Sequence, residues 1–228
     1  MTGSAGFIGP HLIDRFLSDG NEVVAIDDLS TGDLNSLREY MGRRGFTFHQ
    51  LDIREYNCIL SVLEDCDAVF HLAAQTSVEE SVKDPLQTNS INVGGTLTMI
   101  KASVQRSVRR FIFASSAAIY GVPSELPLRE SSPTIPISPY GASKLSCEHY
   151  VNVFNRIYGL ETVILRIFNV YGHGQRSSPY AGVITKFAEA IRQDKHPTIF
   201  GDGKQVRDFI YIDDCVDALI RSAVKRLS

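Results

Sequence analysis

Short apolar runs alternate along most of the chain with stretches whose apolar residues recur every three or four positions. Glu22–Asp27, Phe46–Asp52, Ala68–Ala73, Arg110–Ser115 and Glu161–Phe168 have strand length, and helical patterns separate them. That alternation predicts an α/β fold, a parallel sheet with helices on both faces. In the first helix Leu12, Ile13, Phe16 and Leu17 share one face, and Gly20 is placed to end it in the left-handed conformation. A second helix is expected over Ser138–Tyr158. It opens on Ser-Pro, carries Cys147, Tyr150, Val151, Phe154 and Ile157 on its apolar face, and stops at Gly159. Between Gly121 and Pro139 four prolines and no clear period predict a surface loop near the site.

Composition changes this picture little. The 228 residues suffice for one large domain, or one domain and part of a second. A net charge of −3 argues against a nucleic-acid partner, and the absence of a long apolar run or leader pattern argues against a membrane. A cytoplasmic enzyme is the default expectation. Cys58, Cys66, Cys147 and Cys215 form no CxxC or Cys/His cluster and read as reduced, buried thiols. The six histidines show no metal-ligand spacing, so no metal is expected.

Candidate chemistry begins with Gly3, Gly6 and Gly9, spaced by three residues ahead of an amphipathic helix. Such a turn lets backbone amides approach a pyrophosphate at a helix N-terminus, although a glycine-rich turn alone is more often only a turn. The next strand ends in Asp27 and Asp28, at the separation expected of an acid that binds the adenosine ribose. A carboxylate there repels a 2′-phosphate, favouring NAD over NADP; the competing reading is that these aspartates cap the turn that follows. Asp52 is a candidate adenine contact or a solvated turn residue. Tyr140 and Lys144, four apart on one helix, project from the same face. A tyrosine serves as a base only when its pKa falls from about 10, and a nearby ammonium promotes that. Most Tyr-x-x-x-Lys matches are surface pairs or packed tyrosines. Here the preceding strand, FIFASS, carries Ser116 to the carboxyl edge of the sheet, where ligands bind in this architecture.

Ten stretches in order, TGSAGFIG, AIDDLSTG, LDIR, FHLAAQ, INVGGT, FASSAAIYG, SPYGASK, RIFNVYGHGQ, SPYAGVITKF and GDGKQVRDFIYIDD, extend over nearly the whole chain. Through them the sequence resembles the extended short-chain dehydrogenase/reductases, in the branch of NAD-dependent nucleotide-sugar epimerases and dehydratases. The resemblance implies a doubly wound Rossmann-type domain over residues 1–168. Residues 169–228 would then be part of a substrate lobe interleaved with its end. It also implies Tyr140 as general base, Lys144 on the nicotinamide ribose and Ser116 on the reacting hydroxyl. Ala73 and Asn92 would line the cofactor pocket, although a core strand end and a helix-start asparagine are the simpler readings. Asn169 and Arg207 would hold the nucleotide diphosphate and its sugar, the guanidinium fork suiting a diphosphate. Without the resemblance, Asn169 is a turn residue and Arg207 a surface ion pair with Asp208.

Dehydratases of this kind carry an acidic residue beside the active-site Ser or Thr, and this chain has Ser116-Ala117-Ala118. Epimerisation is therefore favoured, and the resemblance implies that it acts at C4 of a UDP-hexose through a transient 4-keto sugar. The alternatives are dehydration, decarboxylation or reduction on the same scaffold, or a dinucleotide-binding module without catalysis. The resemblance also implies a homodimer formed through the tyrosine-bearing helix and its neighbour. One departure stands out: relatives begin with a strand of about six residues before the Thr-Gly turn. The expectation is that this strand is missing and the C-terminal lobe cut short, as in a fragment or a misplaced start. In a doubly wound sheet the loss would expose the edges of two neighbouring strands.

Overall fold

The computed structural model describes residues 1–175, 182–199 and 201–224. Five parallel strands form the main sheet: β1 (Val23–Asp27), β2 (Phe46–Gln50), β3 (Ala68–His71), β4 (Arg110–Ser116) and β5 (Glu161–Ile167). β1 pairs with β2, and β3, β4 and β5 pair in that order. The gap between β1 and β3 is the place of the expected first strand, and Met1 and Thr2 occupy it. Thr2 bridges in parallel to Ile26 on one side and His71 on the other. The Ile26 amide donates to the Met1 carbonyl at 2.8 Å, and the Thr2 amide to the Phe70 carbonyl at 3.0 Å. The expectation of a missing strand is thus corrected in part. Two residues join both halves into one sheet, ordered β2, β1, Met1–Thr2, β3, β4, β5.

Alternate strand residues feed two cores, as the period of two requires. Ile26, Val69, Phe111 and Phe113 face α2 (Tyr56–Val62), α5 (Gly95–Gln105) and α6 (Pro139–Tyr158), meeting Ile59, Met99, Ile100, Cys147 and Val151. Ala25, Phe70 and Ile112 face the other side, where α1 (Ile8–Ser18) contributes Leu12 and Ile13, and α8 (Ile212–Val224) contributes Ile212, Val216 and Leu219. Helices on both faces complete a doubly wound arrangement. Two short helices, α3 (Val78–Lys83) and α4 (Pro85–Asn89), lie between β3 and α5. Residues 121–138 form the expected irregular loop.

The helix bearing Tyr140 is bounded as its sequence predicts. Ser138 Oγ accepts from the Gly141 amide at 3.1 Å, Pro139 opens the first turn, and Gly159 ends it at φ 69°. After β5 the chain leaves the body. β6 (Asn169–Tyr171) pairs in parallel with β7 (Phe209–Tyr211) in a separate two-stranded sheet, and α7 (Val183–Arg192) buries none of its residues against those described. α8 then returns to the main core, so the two regions are interleaved. One expectation fails on packing: Cys147 and Cys215 are buried, but Cys58 is exposed on the outer face of α2 and Cys66 is half-buried.

Candidate active site

The glycine turn follows directly from the central residues. Gly3 has φ 68°, and a Cβ there would lie 2.7 Å from the Ala73 amide nitrogen. A Cβ at Gly9 would lie 2.2 Å from the Ser4 carbonyl oxygen, so only glycine lets α1 start this close to the turn. Gly6 differs: it is exposed, and an added Cβ would meet only the Gly3 carbonyl, at 3.3 Å. The first turn of α1 has no side-chain cap, leaving its amides for an anion. Ser4 Oγ is buried without a hydrogen-bond partner among the described residues. An uncapped helix start, a cradle that a methyl group would fill and an orphaned hydroxyl fit a dinucleotide pyrophosphate.

Behind the turn, Thr2 Oγ1 lies 2.7 Å from His71 Nδ1, and His71 Nε2 lies 3.0 Å from Thr96 Oγ1 on α5. Burial, with the Lys144 charge second, pushes the His71 pKa down to about 3, so this ring is a neutral strut. The Ala73 amide donates to Thr2 Oγ1 at 3.2 Å, placing Ala73 against the turn.

Asp27 caps the turn that follows it, as the competing reading expects. Its carboxylate is 8% exposed and accepts from the Ala5 amide and the Leu29 amide, each at 2.9 Å, so it braces the glycine turn and caps the next one. Burial pushes its pKa up, while these two amides hold the charged form. Asp28 is exposed and engaged with Ser30. Asp52 is gripped by Arg54, whose guanidinium holds that carboxyl below the usual range and also reaches Ser90 Oγ at 3.1 Å. Asn92 is buried, and its amide group is committed internally. It donates to the Gln75 carbonyl and to Ser143 Oγ, and accepts from the Gln75 amide at 2.8 Å. It thereby ties the segment after β3 to the helix carrying Tyr140.

Ser116, Tyr140 and Lys144 converge at the carboxyl end of β4. The chain passes from Ser116 into a single 3₁₀ turn, Ala117–Tyr120, started by the Ala118 amide donating to Ser116 Oγ at 3.1 Å. That turn packs on the start of α6 because Gly141 has no side chain; a Cβ there would lie 2.7 Å from the Ala118 carbonyl oxygen. Tyr140 comes close enough to Ser116 for that hydroxyl to pull the phenol pKa down, against burial, which raises it overall. Lys144, 3% exposed, donates to the Ala114 carbonyl at 2.8 Å and lies 4.9 Å above the Phe113 ring. Burial pushes its pKa down to about 8. The protein groups acting on Tyr140 thus leave its pKa raised, whereas the spacing with Lys144 predicts a depression.

Asn169 and Arg207 sit apart from this cluster, on the small sheet. Asn169 Nδ2 donates to the Asp208 carbonyl at 2.7 Å, and Arg207 donates to the Val206 carbonyl at 2.9 Å while its side chain faces solvent. No Arg207–Asp208 ion pair occurs among the described residues. Sequence reasoning missed the group beneath the site. Glu148, one turn after Lys144 and buried, accepts from Ser115 Oγ at 2.6 Å and from the Arg166 guanidinium at 2.9 Å. Arg166 also donates to the Tyr120 hydroxyl at 2.8 Å and the Glu130 carbonyl at 2.6 Å. The available signal was the i, i+4, i+8 alignment of Tyr140, Lys144 and Glu148 on one helix.

The chain resembles known proteins in sequence and in fold. The model of the NAD dependent epimerase/dehydratase family matches residues 1–226. A UDP-glucose 4-epimerase of Mycolicibacterium smegmatis is 39% identical over 224 residues, covering 97% of this chain and 72% of that protein. Among solved structures, the UDP-N-acetylglucosamine 4-epimerase of Methanobrevibacter ruminantium M1, in complex with UDP-N-acetylmuramic acid, superposes with a TM-score of 0.94 at 42% identity, covering 100% of this chain and 73% of that one. The UDP-glucose 4-epimerase of Thermotoga maritima, with UDP-glucose, gives 0.91 at 38% identity, covering 96% and 71%.

Proposed function

As the chain belongs to the NAD dependent epimerase/dehydratase family, we propose that it is an NAD-dependent nucleotide-sugar epimerase that inverts C4 of a UDP-hexose. The observation that carries the reading is the convergence of Ser116, Tyr140 and Lys144 at the carboxyl end of β4, beside a glycine turn built for a dinucleotide. Gly3, Gly6 and Gly9 hold the pyrophosphate of NAD, Asp27 the adenosine ribose, and Asp52, Ala73 and Asn92 the rest of its pocket. NAD supplies the acceptor that takes hydride from the sugar and returns it.

Within that frame Ser116 donates to and orients the C4 hydroxyl, and Tyr140 takes its proton as C4 becomes a ketone. The phenol must be ionised to do this. Lys144 is placed to favour the phenolate once it turns from the Ala114 carbonyl towards the nicotinamide ribose and the tyrosine. When hydride returns to the opposite face of the 4-keto sugar, Tyr140 gives the proton back, so no net acid, base or oxidant is consumed. Asn169 and Arg207, on the small sheet, hold the nucleotide diphosphate and its sugar. Residues 1–168 form the NAD-binding domain and residues 169–228 part of the substrate lobe, acting in the cytoplasm. No helix among the described residues is long and apolar enough to cross a membrane. A homodimer is proposed through the outer face of α6, where Tyr150, Val153 and Ile157 are exposed at a spacing of three to four residues.

Incubation with NAD and UDP-galactose, followed by NMR, tests the reading. UDP-glucose is expected to accumulate, and Tyr140→Phe is expected to abolish it. Conversion undiminished in Tyr140→Phe would remove Tyr140 from the mechanism.

A further inference from the structure

Three side chains far apart in sequence meet outside this site. His11 lies on α1, His173 in the turn after β6, and Asp213 in the first turn of α8, with one potential ligand atom from each lying within 4.8 Å of the others. Residues 11, 173 and 213 are too far apart in sequence to form a metal-ligand spacing, so the absence of such spacing does not exclude this cluster. We propose that His11, His173 and Asp213 bind a divalent transition-metal ion that clasps α1 and α8 to the small sheet.

The local backbone brings the three together. Gly172 and Gly174 flank His173. A Cβ at Gly172 would lie 2.4 Å from Ile212 Cγ2, at the start of α8, and one at Gly174 would lie 3.2 Å from His11 Nε2. Both positions have positive φ, 153° and 78°, so the glycines let the turn settle onto the two helices that carry the other ligands. The His11 ring stands edge-on to that of His173 with centroids 4.6 Å apart, and His11 Nε2 lies 3.1 Å from the His173 carbonyl oxygen. Tyr211 Oη lies 3.4 Å from His173 Nδ1, an outer partner that leaves Nε2 to coordinate.

The donor set selects the ion. Two imidazoles and one carboxylate suit Zn²⁺, Co²⁺ or Ni²⁺ better than Mg²⁺ or Ca²⁺, which prefer all-oxygen shells. Bonds of about 2.0–2.1 Å require ligand atoms about 3.4 Å apart in a tetrahedron. His173 and Asp213 are exposed and His11 half-buried, so rotation of the two exposed side chains brings the set to that spacing. Three protein ligands leave a position for water or an incoming anion. Binding of this ion does not depend on the proposed reaction.

The test uses untagged protein, stripped with a chelator and desalted, then titrated with CoCl₂ by visible absorption and with ZnCl₂ by calorimetry and thermal melting. The expected result is one ion per chain, with intense visible bands of low-coordinate Co²⁺ and a raised melting temperature. His173→Gln and Asp213→Asn are each expected to weaken Zn²⁺ at least about tenfold. His149→Gln, on an exposed histidine elsewhere, is expected to leave it unchanged. Both ligand variants are at exposed positions, and their unliganded melting temperature checks folding. Binding absent at one equivalent, or equal in His173→Gln and wild type, would overturn the proposal.

Discussion

A methyl group at Gly9 would lie 2.2 Å from the Ser4 carbonyl oxygen, against backbone that cannot give way, whereas one at Gly6 would meet only the Gly3 carbonyl, at 3.3 Å. Gly9→Ala should therefore lose about 1–3 kcal/mol of stability in denaturant melts. Gly6→Ala should melt close to wild type yet bind NAD more weakly in calorimetry, because its methyl group enters the cradle. Lys144 gives a pH signature at the same scale. Its folded pKa, about 8, lies below the unfolded value of about 10.4, so the unfolded chain binds more protons between those values. The contribution of this group to stability rises as pH climbs through that window, and below it the buried ammonium is a constant cost. Denaturant melts of the protein without NAD at about pH 7.5 and about pH 9.5 should show wild type gaining on the order of 2 kcal/mol relative to Lys144→Met. An equal pH dependence in the two proteins would exclude a depressed lysine.

At the scale of elements, α6 carries both the chemistry and the bracing. Ser138 caps it, Gly159 ends it, and the Glu148–Arg166 pair ties it to β4, β5 and the loop at Glu130. A Cβ at Gly159 would meet nothing within 4 Å, so Gly159→Ala isolates the left-handed backbone and should cost about 1–2 kcal/mol. Glu148→Ala leaves the Arg166 guanidinium without its carboxylate and the Ser115 hydroxyl without its acceptor. With Arg166 partly reached by solvent, the expected loss is up to about 3 kcal/mol, read as a shifted denaturation midpoint.

Over the whole molecule, the alternation of strand and helix patterns was legible because each strand feeds two cores by period two, and the caps of α6 because Ser-Pro and Gly are local signals. The central position was not legible. Met1 and Thr2 are too short for any periodicity, and their place is set by hydrogen bonds to β1 and β3. Ser116, Tyr140 and Lys144 could be read from spacing and strand direction. The commitment of Asn92 to Gln75 and Ser143, the buried Glu148–Arg166 pair and the meeting of His11 with His173 depend on contacts across 17 to 162 residues. The exposed apolar line Tyr150, Val153 and Ile157 tests the proposed homodimer at this scale: if wild type sediments as a dimer, Val153→Glu should sediment as a monomer with its fold intact by circular dichroism, and a monomeric wild type would contradict the proposal.

In the proposed reaction the sugar is oxidised and re-reduced at C4 on one enzyme molecule by Tyr140, Ser116 and NAD. UDP-galactose carrying deuterium at C4, incubated with protein and NAD, tests it most directly. UDP-glucose that retains deuterium at C4, formed by wild type and not by Tyr140→Phe, is the predicted result. A product with deuterium lost to water, or a 4-keto-6-deoxy sugar in place of UDP-glucose, would contradict it.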